Sequence, residues 1–429
     1  MRTDTVSRRD FFIRGAGIGA AAAVAPLILP ACLHAKPGRP GPNDRVNVGY
    51  IGVGRRGRQV MGLPDGAQIV AISDVNQARM ADLIEAHPDW RAYQDYRELL
   101  ACDDIDAVVV ATPDHWHVLN AVHACEAGKD VYIEKPMSLT VREGRALVRA
   151  ARKHQRVVQT GSQQRSMDAC RLGCELVQNG RLGAVHTVHG ANYPSPWECD
   201  LPGQPVPEGL NWDMWCGPTE LRPYHEELYL PRVRGDEAGW ISFRPYSGGE
   251  MTGWGAHGLD LIQWALGADE SGPVEVWPEP GTEPANDTVH KGPRCQVGFR
   301  YASGVVVKLD NHGPAGGGVF EGDAGQLLLD RGKCVTKPEG IAKEPLADSD
   351  IHLARSTNHL QNWVDCIRTG EKPIADVEIG HRSATMCHLG NIARWTGRSL
   401  GWDPERECFI GDDEANALLE RPMRKPWAL

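Results

Sequence analysis

VNVGYIGVGRRG, residues 46–57, joins a short apolar run to three glycines in the spacing G-x-G-x-x-G. The apolar run predicts a buried strand, and Arg58–Leu63 after the glycines predicts a short helix. Gly52, Gly54 and Gly57 would let the backbone approach a pyrophosphate at the N-terminus of that helix. The stretch therefore predicts the first strand and turn of a dinucleotide-binding domain.

The next apolar run, Ala67–Asp74, predicts a second strand that ends in an acid. Asp74 follows Gly52 by 22 residues, where such domains place the carboxylate that accepts the ribose hydroxyls. A carboxylate there repels a 2′-phosphate, which favours NAD over NADP. Arg55 and Arg56 either lie along the phosphates or point to solvent. The alternative is a domain of this shape that binds no nucleotide.

Helical and strand patterns then alternate along the chain. Met80–Ala86 and His117–Gly128 predict helices, whereas Ile105–Pro113 and DVYI, residues 130–133, predict strands. Short connections between them indicate a parallel, doubly wound sheet. Ligands of such sheets lie beyond the carboxyl ends of the strands. Glu134 and Lys135 follow the strand at 130–133 and therefore face the predicted cleft, with Pro136 setting the chain direction.

Length and charge limit the remaining possibilities. A chain of 429 residues is too long for one core, so two domains are expected. The formal net charge of −10 gives no reason to expect nucleic acid or an anionic membrane as a partner.

The N-terminal segment predicts export. Arg8 and Arg9 precede the uncharged run Gly15–Leu29, which is too short and too rich in small residues for a membrane span. The pair resembles a twin-arginine signal, and a general secretory signal is the alternative. We expect residues 1–35 to be a signal peptide, residues 36–43 a linker, and the mature protein to be periplasmic. Lipidation of Cys32 stays open.

The twelve cysteines are scattered and form no C-x-x-C pair. Cys170 and Cys174 are spaced to share a helix face, which suits a helix better than a zinc site. Most of the thiols are expected to be buried. One disulfide, with no pairing assigned, stays open.

Several further stretches, in this order, resemble the Gfo/Idh/MocA family, the glucose–fructose oxidoreductase and inositol dehydrogenase group. They are ATPDHWH (111–117), EKP (134–136), GSQQR (161–165), LNWDMWCGP (210–218), GGEMTGWGAHGLDLIQWALG (248–267) and EIGHRSA (378–384). The resemblance covers nearly all of the chain after the signal. It implies an α/β fold, with a Rossmann NAD(P)-binding domain at 44–165 and an α/β substrate and oligomerisation domain at 166–429.

The resemblance implies that the second domain carries a large, open, mostly antiparallel sheet, and that the protein is a homodimer or homotetramer. Its C-terminal helices could pack back on the Rossmann domain. The strand patterns in it are Ala184–Asn192, Cys295–Ala302, Gly304–His312 and Gly325–Gly332, and the helical patterns are His359–Thr369 and Gly380–Thr396.

Family roles carry over to matching residues. Lys135 would bind the reacting oxygen, and His257 would move the proton. In addition to Gly52, Gly54, Arg55, Arg56, Gly57 and Asp74, the cofactor would contact Thr112, Pro113, Asp114, His117, Glu134, Lys135 and Gln163. The substrate would contact Arg165, Asn192, Trp212, Trp254 and Asp260. No metal is expected, although Asp114, His115 and His117 could alternatively be ligands.

One residue departs from the family pattern. The family aspartate four residues before the histidine is Gly253 here. Asp260 or Glu250 could replace it, or the proton relay could differ. The reaction therefore stays open between net hydride transfer and glycoside cleavage with no net redox change.

The expected function is an exported oxidoreductase that moves hydride between tightly bound NAD and a sugar, cyclitol or sugar derivative. The first alternative is a glycoside hydrolase or lyase that uses retained NAD for transient oxidation and elimination. A non-catalytic sugar-binding relative is the third possibility. Tryptophan faces suit sugar C–H faces, although core packing explains most aromatic clusters.

Overall fold

The first sheet has six parallel strands in the order β3-β2-β1-β4-β5-β6. The structure, a computed structural model, describes residues 45–229, 238–282 and 291–429. The predicted signal peptide, the linker and Cys32 lie outside the described residues. The strands are β1 Val46–Ile51, β2 Ala67–Ser73, β3 Arg91–Tyr93, β4 Ala107–Val110, β5 Asp130–Ile133 and β6 Val158–Thr160.

The register of these strands aligns their carboxyl ends. Ile51 pairs with Ser73 and with Val110, Val110 pairs with Ile133, and Ile133 pairs with Thr160. The residues that follow these partners therefore form one line across the edge of the sheet, namely Gly52, Asp74, Ala111, Glu134 and Gly161. This line is where a doubly wound sheet places its ligand.

Helices cover both faces of the first sheet. The helices of this half are α1 Arg55–Gln59, α2 Ala78–Ala86, α3 Tyr96–Leu100, α4 Asp114–Glu126 and α5 Val141–Lys153. On one face, Trp116, Leu119 and Leu147 of α4 and α5 pack against alternate residues of the strands. On the other face, Trp363 and Ile367 come from a helix almost 200 residues further along the chain.

The second sheet has nine strands in the order β13-β12-β11-β7-β10-β9-β8-β14-β15. Every pair of neighbouring strands in this sheet is antiparallel except the pair β7–β10, which is parallel. The strands are β7 Val185–Gly190, β8 Glu275–Glu279, β9 Gln296–Arg300, β10 Val306–Leu309, β11 Gly318–Gly322, β12 Gly325–Asp330, β13 Lys333–Lys337, β14 Leu400–Asp403 and β15 Cys408–Phe409. The predicted fold class is confirmed.

The remaining helices surround or follow this sheet. They are α6 Asp168–Gln178, α7 Trp212–Cys216, α8 Glu226–Tyr229, α9 Glu250–Gly253, α10 Gly255–Ala265, α11 Gly340–Lys343, α12 His359–Thr369, α13 Val377–Thr396 and α14 Asp413–Ala417. Helices α6, α10 and α13 pack in one core with the strands. Helix α12, which carries Trp363, packs against the first sheet instead.

Two details differ from the sequence predictions. The helix after the glycines begins at Arg55 and ends at Gln59, earlier than the predicted Arg58–Leu63. The helix is capped at Val60, and the loop at 61–66 that follows contains Gly62 and Pro64, both of which are unfavourable inside a helix. The eleven cysteines among the described residues are all free, so the open disulfide is not formed there. Burial raises the pKa of Cys125 to about 12, as expected for an inert thiol.

No helix in the described ranges is both long enough and apolar enough to cross a membrane.

A polar cluster joins the two halves near the C-terminus. The Arg145 guanidinium on α5 binds Glu378 of α13 at 2.7 Å and Glu407 at 2.6 Å, and His381 binds Glu407 at 2.6 Å. Burial alone would raise the pKa of Glu378, but hydrogen bonds from Arg145 and Arg382 lower it to about 2. The ionised carboxylate therefore stabilises the folded state.

We expect Glu378→Gln to remove part of the acid sensitivity of folding. A carboxylate whose folded pKa is lowered contributes its full stability above its unfolded pKa of about 4.3, and loses it as the pH falls towards about 2. The wild-type free energy of unfolding should fall by about 2 kcal/mol more than that of the variant between pH 6 and pH 3. Urea titrations at several pH values measure this. The exposed Glu339→Gln is the control, and equal slopes for wild type and Glu378→Gln would contradict the prediction.

Candidate active site

The glycine loop lies tightly against the end of β4. Gly52 has φ +89°, and a Cβ there would come within 2.8 Å of the Ala111 carbonyl carbon. A Cβ on Gly57 would come within 2.1 Å of the Gly52 oxygen. Neither position accepts a side chain, because backbone would have to move. The loop therefore brings the N-terminus of α1 close to the carboxyl edge of the sheet.

Asp74 lies beside this loop at the end of β2. Its carboxylate accepts hydrogen bonds from the backbone N–H of Val53 at 3.0 Å and of Asn76 at 2.9 Å. Burial raises the pKa of Asp74, and the nearby Arg79 opposes this change. The carboxylate is thus held rigidly between the glycine loop and the start of the next helix.

The first of two adjoining pockets, here called the glycine-loop pocket, has a volume of about 240 Å³. Gly52, Gly54, Arg55 and Asp74 form one wall. Aromatic side chains also line the pocket, partly from the second half of the chain, namely Trp116, Trp215 and Tyr229. Thr112 and Pro113 also line it, as predicted for cofactor contacts.

The second pocket, here called the lysine pocket, has a volume of about 230 Å³ and shares Arg55, Arg56 and Thr112 with the first. It is lined further by Asp114, His117, Glu134, Lys135, Gln163, Trp254 and His257. The two pockets form one continuous cleft. Most of the predicted cofactor residues and both predicted catalytic residues line it.

Lys135 and His257 come from different halves of the chain. The Lys135 Nζ donates a 3.0 Å hydrogen bond to the carbonyl oxygen of Gly253, and the Lys135–Pro136 peptide is cis. His257 lies in the first turn of α10, and its ring packs at 5.8 Å against that of Trp254. An ammonium donor and an imidazole therefore line the same pocket at the carboxyl edge of the sheet.

His117 and Glu134 hold the chain around Lys135. The two ring nitrogens of His117 lie 2.7 Å from the carbonyl oxygen of Pro136 and 2.8 Å from that of Thr112. The Glu134 carboxylate binds Arg56 at 2.7 Å. Burial alone would lower the pKa of Arg56, but Glu134 raises it above its ordinary value. These contacts fix both sides of the turn that carries the lysine.

The three residues considered as metal ligands do not come together. The Asp114 carboxylate accepts a 2.7 Å hydrogen bond from the Ser247 hydroxyl. His115 Nε2 lies 2.8 Å from the Trp215 carbonyl oxygen, and burial lowers the pKa of His115 to about 3. His117 faces two carbonyl oxygens, so this alternative was wrong.

The position of Gly253 bears on the missing aspartate. A Cβ added to Gly253 would lie 2.9 Å from Glu250 Oε2. The Glu250 carboxylate thus lies close to where an aspartate at position 253 would place its side chain. Asp260 does not replace the aspartate, because its carboxylate binds Arg165 at 2.9 Å in the interior.

Four of the predicted substrate residues do not line the cleft. Arg165 and Asp260 form the ion pair just described. The Asn192 side chain donates to the Arg294 carbonyl and accepts from Arg394. Trp212 stacks on Trp215 at 4.5 Å and donates to the Arg222 carbonyl. Internal contacts use their polar groups, so of the five substrate predictions only Trp254 lies at the cleft.

Sequence reasoning missed several lining residues. Arg331 follows β12, reaches the lysine pocket and lies 5.3 Å from the Trp254 ring centroid. Arg79 lines the first pocket and stacks over Tyr229. Arg79 lies in the first turn of α2 and Arg331 lies in the turn after β12, and no local sequence signal marks either one as a cleft residue. They reach the cleft only because folding brings distant parts of the sequence together.

Comparison with known families agrees with this arrangement. Residues 46–162 match "Oxidoreductase family, NAD-binding Rossmann fold", and residues 175–429 match "Oxidoreductase family, C-terminal alpha/beta domain". The chain belongs to the Gfo/Idh/MocA oxidoreductase family. A nicotinamide cofactor is thereby supported, and the precise reaction is not decided by membership.

The curated relatives are similar to this chain over only part of their own length. A glycosyl hydrolase family 109 protein of Shewanella baltica is 40% identical over 126 residues, which is 26% of this chain and 27% of that protein. The uncharacterized oxidoreductase YrbE of Bacillus subtilis is 32% identical over 148 residues, or 34% and 43% of the two chains. The chain thus spans about a quarter of the length of the first of these relatives and less than half of the second.

Solved structures share the fold over most of this family member. The WlbA dehydrogenase of Bordetella pertussis, in complex with NADH and UDP-GlcNAcA, has a TM-score of 0.62 at 19% identity, covering 84% of this chain and 98% of that one. Levoglucosan dehydrogenase, in complex with NADH and levoglucosan, has a TM-score of 0.57 at 18% identity, covering 83% and 99%. At such identity the likeness concerns the fold alone.

Proposed function

We propose that this protein is an NAD-dependent oxidoreductase that transfers hydride between the cofactor and a hydroxyl-bearing carbon of a sugar, cyclitol or sugar derivative. The observation that carries the proposal is the joint placement of Lys135 and His257 in a pocket continuous with the glycine loop. A hydroxyl group there would meet a hydrogen-bond donor and a proton acceptor beside the cofactor cleft.

The residues present fit a nicotinamide dinucleotide. The backbone around Gly52 and Gly57 leaves no room for side chains, as a loop that approaches a pyrophosphate requires. Asp74 is held in place in the lining of the glycine-loop pocket, which supports NAD over NADP. When bound, the nicotinamide accepts or donates hydride at the substrate carbon.

The protein groups would then handle the oxygen and its proton. Lys135, held by the Gly253 carbonyl, would donate a hydrogen bond to the substrate oxygen and stabilise negative charge that develops on it. His257 would take the hydroxyl proton as the carbon loses hydride, so that an alcohol becomes a carbonyl. Trp254 beside His257 offers an apolar face to the ring carbons of a sugar.

The test uses purified protein with free sugars, cyclitols and glycosides, in the presence of NAD⁺. Absorbance reports NADH, and mass spectrometry identifies the product. NADH formed in equal amount to a keto-sugar supports the oxidoreductase. Neither product nor nucleotide binding with any substrate class would contradict it and would favour the non-catalytic relative.

A second function is favoured by the relatives named glycosyl hydrolase family 109. The glycine loop and Asp74 would hold the NAD, which would supply reversible oxidation at a ring hydroxyl of a glycoside. The resulting carbonyl would acidify the neighbouring C–H, so that the aglycone could leave by elimination. Water would then add to the double bond, and the hydride would return to the carbonyl. The net reaction is hydrolysis without redox change. Aglycone release without accumulated NADH in the same assay would identify it.

Export and assembly are also proposed. The arginine pair before an uncharged run supports twin-arginine export to the periplasm, which would allow folding around a retained cofactor. Family resemblance supports a homodimer or homotetramer. Fractionation of the native host and light scattering of the purified protein test these two points.

Asp74 should set the cofactor preference. We expect Asp74→Ala to weaken NAD⁺ binding by about 10- to 100-fold, because about 1.5–3 kcal/mol of charged hydrogen bonding to the ribose is lost. NADP⁺ binding should be unchanged or improved, since the repulsion of a 2′-phosphate disappears. Fluorescence titration with both cofactors measures the ratio. The exposed Asp89→Ala is the matched control, and an unchanged ratio in Asp74→Ala would refute the assignment.

Glu250 should act as a positioning residue in place of the family aspartate. Glu250→Gln is expected to lower kcat about tenfold and to shift the pH profile of kcat/KM, because the carboxylate beside Gly253 would no longer influence the proton transfer. The double variant Glu250→Gln/Gly253→Asp should recover part of both effects. A purely structural role would lower stability without moving the pH profile.

A further inference from the structure

A second group of polar side chains lies outside the cleft, at one end of the only parallel strand pair found in the described part of the second sheet. His189 is near the end of β7, and Asp310 and His312 follow β10. The register places His189 beside Lys308, two residues before Asp310. Two imidazoles and one carboxylate are therefore brought together by neighbouring strands.

The distances within this group are short. His189 Nδ1 lies 2.7 Å from Asp310 Oδ2, and His312 Nδ1 lies 3.1 Å from the same oxygen. One candidate ligand atom from each residue lies within 4.8 Å of the other two. In a tetrahedral zinc site, ligand atoms at about 2.0–2.2 Å from the ion lie about 3.3 Å apart. The distances of 2.7 and 3.1 Å from Asp310 Oδ2 are shorter than this spacing by about 0.6 and 0.2 Å, so both imidazoles would have to move slightly outward to admit an ion.

The surroundings orient the group. The other oxygen of Asp310 accepts the backbone N–H of His312 at 3.0 Å, which leaves Oδ2 facing the two imidazoles. On the far side of His189, Nε2 lies 3.5 Å from Glu321 Oε2 on the adjacent strand β11. Histidine ligands commonly present their second ring nitrogen to a carboxylate in this way. This contact is independent of the distances among the three ligands.

The backbone also favours the arrangement. Asn311 between the two ligands has φ +65°, and its N–H donates to the Gly190 carbonyl at 3.1 Å. This left-handed residue turns the chain back over the end of β7, so that His312 comes to lie beside His189. Asparagine tolerates the left-handed conformation better than most side chains do. The turn therefore serves to assemble the group.

We propose that His189, Asp310 and His312 form a binding site for a divalent transition-metal ion of the Zn²⁺ class, with Glu321 orienting His189. Two imidazole nitrogens and one carboxylate oxygen suit zinc and leave a fourth position for water. Each histidine would bind the ion through Nδ1 as the neutral Nε2–H tautomer, so a proton on Nδ1 would move to Nε2 or be released to solvent. The site lies outside the cleft and takes no part in the proposed hydride transfer.

The ion would stabilise the loop that follows it. Residues 313–317 continue from His312, and within them the Ala315 carbonyl accepts the Tyr193 hydroxyl at 2.7 Å and the Gly316 carbonyl accepts Gln164 at 2.6 Å. Tyr193 packs against the helix that carries His257, where a Cβ on Gly258 would lie 2.1 Å from its hydroxyl. An ion joining β7 to this loop would therefore support the wall behind the lysine pocket.

The test uses the full mature protein without a histidine tag, stripped with a chelator and titrated with ZnCl₂ by calorimetry. We expect one ion per chain, and a loss of at least tenfold in affinity in His312→Ala and in Asp310→Asn. His186→Ala is the matched control, because His186 is an exposed histidine on β7, the strand that carries His189. The zinc affinity of this variant should match that of wild type. Zinc should raise the melting temperature of wild type but not of His312→Ala.

The variants distinguish a metal site at His312 from a hydrogen-bonded cluster without metal and from an ion bound in the cleft. His312 is 76% exposed, so its replacement by alanine is expected to leave the fold intact, which circular dichroism checks. No saturable zinc uptake, or equal affinities in His312→Ala and His186→Ala, would show a hydrogen-bonded cluster without a metal. Uptake that is lost in His257→Ala but kept in His312→Ala would place the ion in the cleft and overturn the proposal.

Discussion

Replacing Lys135 with methionine is expected to lower kcat/KM for the sugar substrate by about 10²–10⁴. Methionine keeps most of the apolar stem but removes the ammonium, so the developing charge on the substrate oxygen loses its donor. The loss should lie mainly in kcat, because this interaction strengthens in the transition state. Steady-state kinetics with the substrate identified by the product screen measures it.

Two comparisons make the result specific. Lys153→Met removes an exposed lysine on α5, away from the cleft, and should retain full activity. Binding of NAD⁺ and of sugar to Lys135→Met should stay within a few-fold of wild type, since most cofactor contacts come from other residues. If Lys135→Met retains more than a third of the wild-type kcat, the lysine is not catalytic, and the role assigned from the EKP resemblance fails.

Replacing Arg165 with methionine is expected to destabilise the protein by about 3–5 kcal/mol. Arg165 and Asp260 are each 1% exposed, and the guanidinium also binds Asp269 at 2.7 Å. Burial raises the pKa of Asp260, an effect that Arg165 opposes. Without the guanidinium, the second half of the chain would hold an uncompensated carboxylate in its interior. The midpoint of urea unfolding at pH 7 reports the change.

The chain offers graded controls for this ion pair. Asp269 is 31% exposed, so Asp269→Asn should cost less than about 1 kcal/mol. The double variant Arg165→Met/Asp260→Leu should be more stable than Arg165→Met alone, because removing both charges leaves none buried. A cost below about 1 kcal/mol for Arg165→Met would show that the pair is unimportant for folding, and a selective rise in KM would return Arg165 to the substrate site.

The Rossmann half of the site could be predicted because its determinants are local. Gly52, Gly57 and Asp74 lie within one strand-turn-helix-strand unit, where spacing along the chain maps directly onto the edge of the sheet. The placement of Glu134 and Lys135 followed from the same rule, since both come directly after an apolar strand. The helix His359–Thr369 was also predicted with its correct bounds.

The second half of the site depended on contacts between distant residues. Nothing near Arg165 in sequence indicates that its partner is Asp260, 95 residues later. In the sequence, nothing distinguishes Arg331 from the other charged residues. In the structure, the turn after β12 places it beside Trp254. Strands such as β8 and β11 are short and half-exposed, so their patterns are weak. Long-range packing, rather than local propensity, decides these positions.

Helix α12 also imposes an order on the making of this protein. Trp363, Val364 and Ile367 complete one face of the first sheet, yet they follow its last strand by about 200 residues. At about 5–20 residues per second, a ribosome adds them roughly 10–40 s after the cofactor-binding strands have emerged. Until then that face is covered only in part, by residues of α2 such as Met80 and by the segment before β2. The nucleotide half, although first in sequence, therefore cannot complete its packing until α12 has been synthesised.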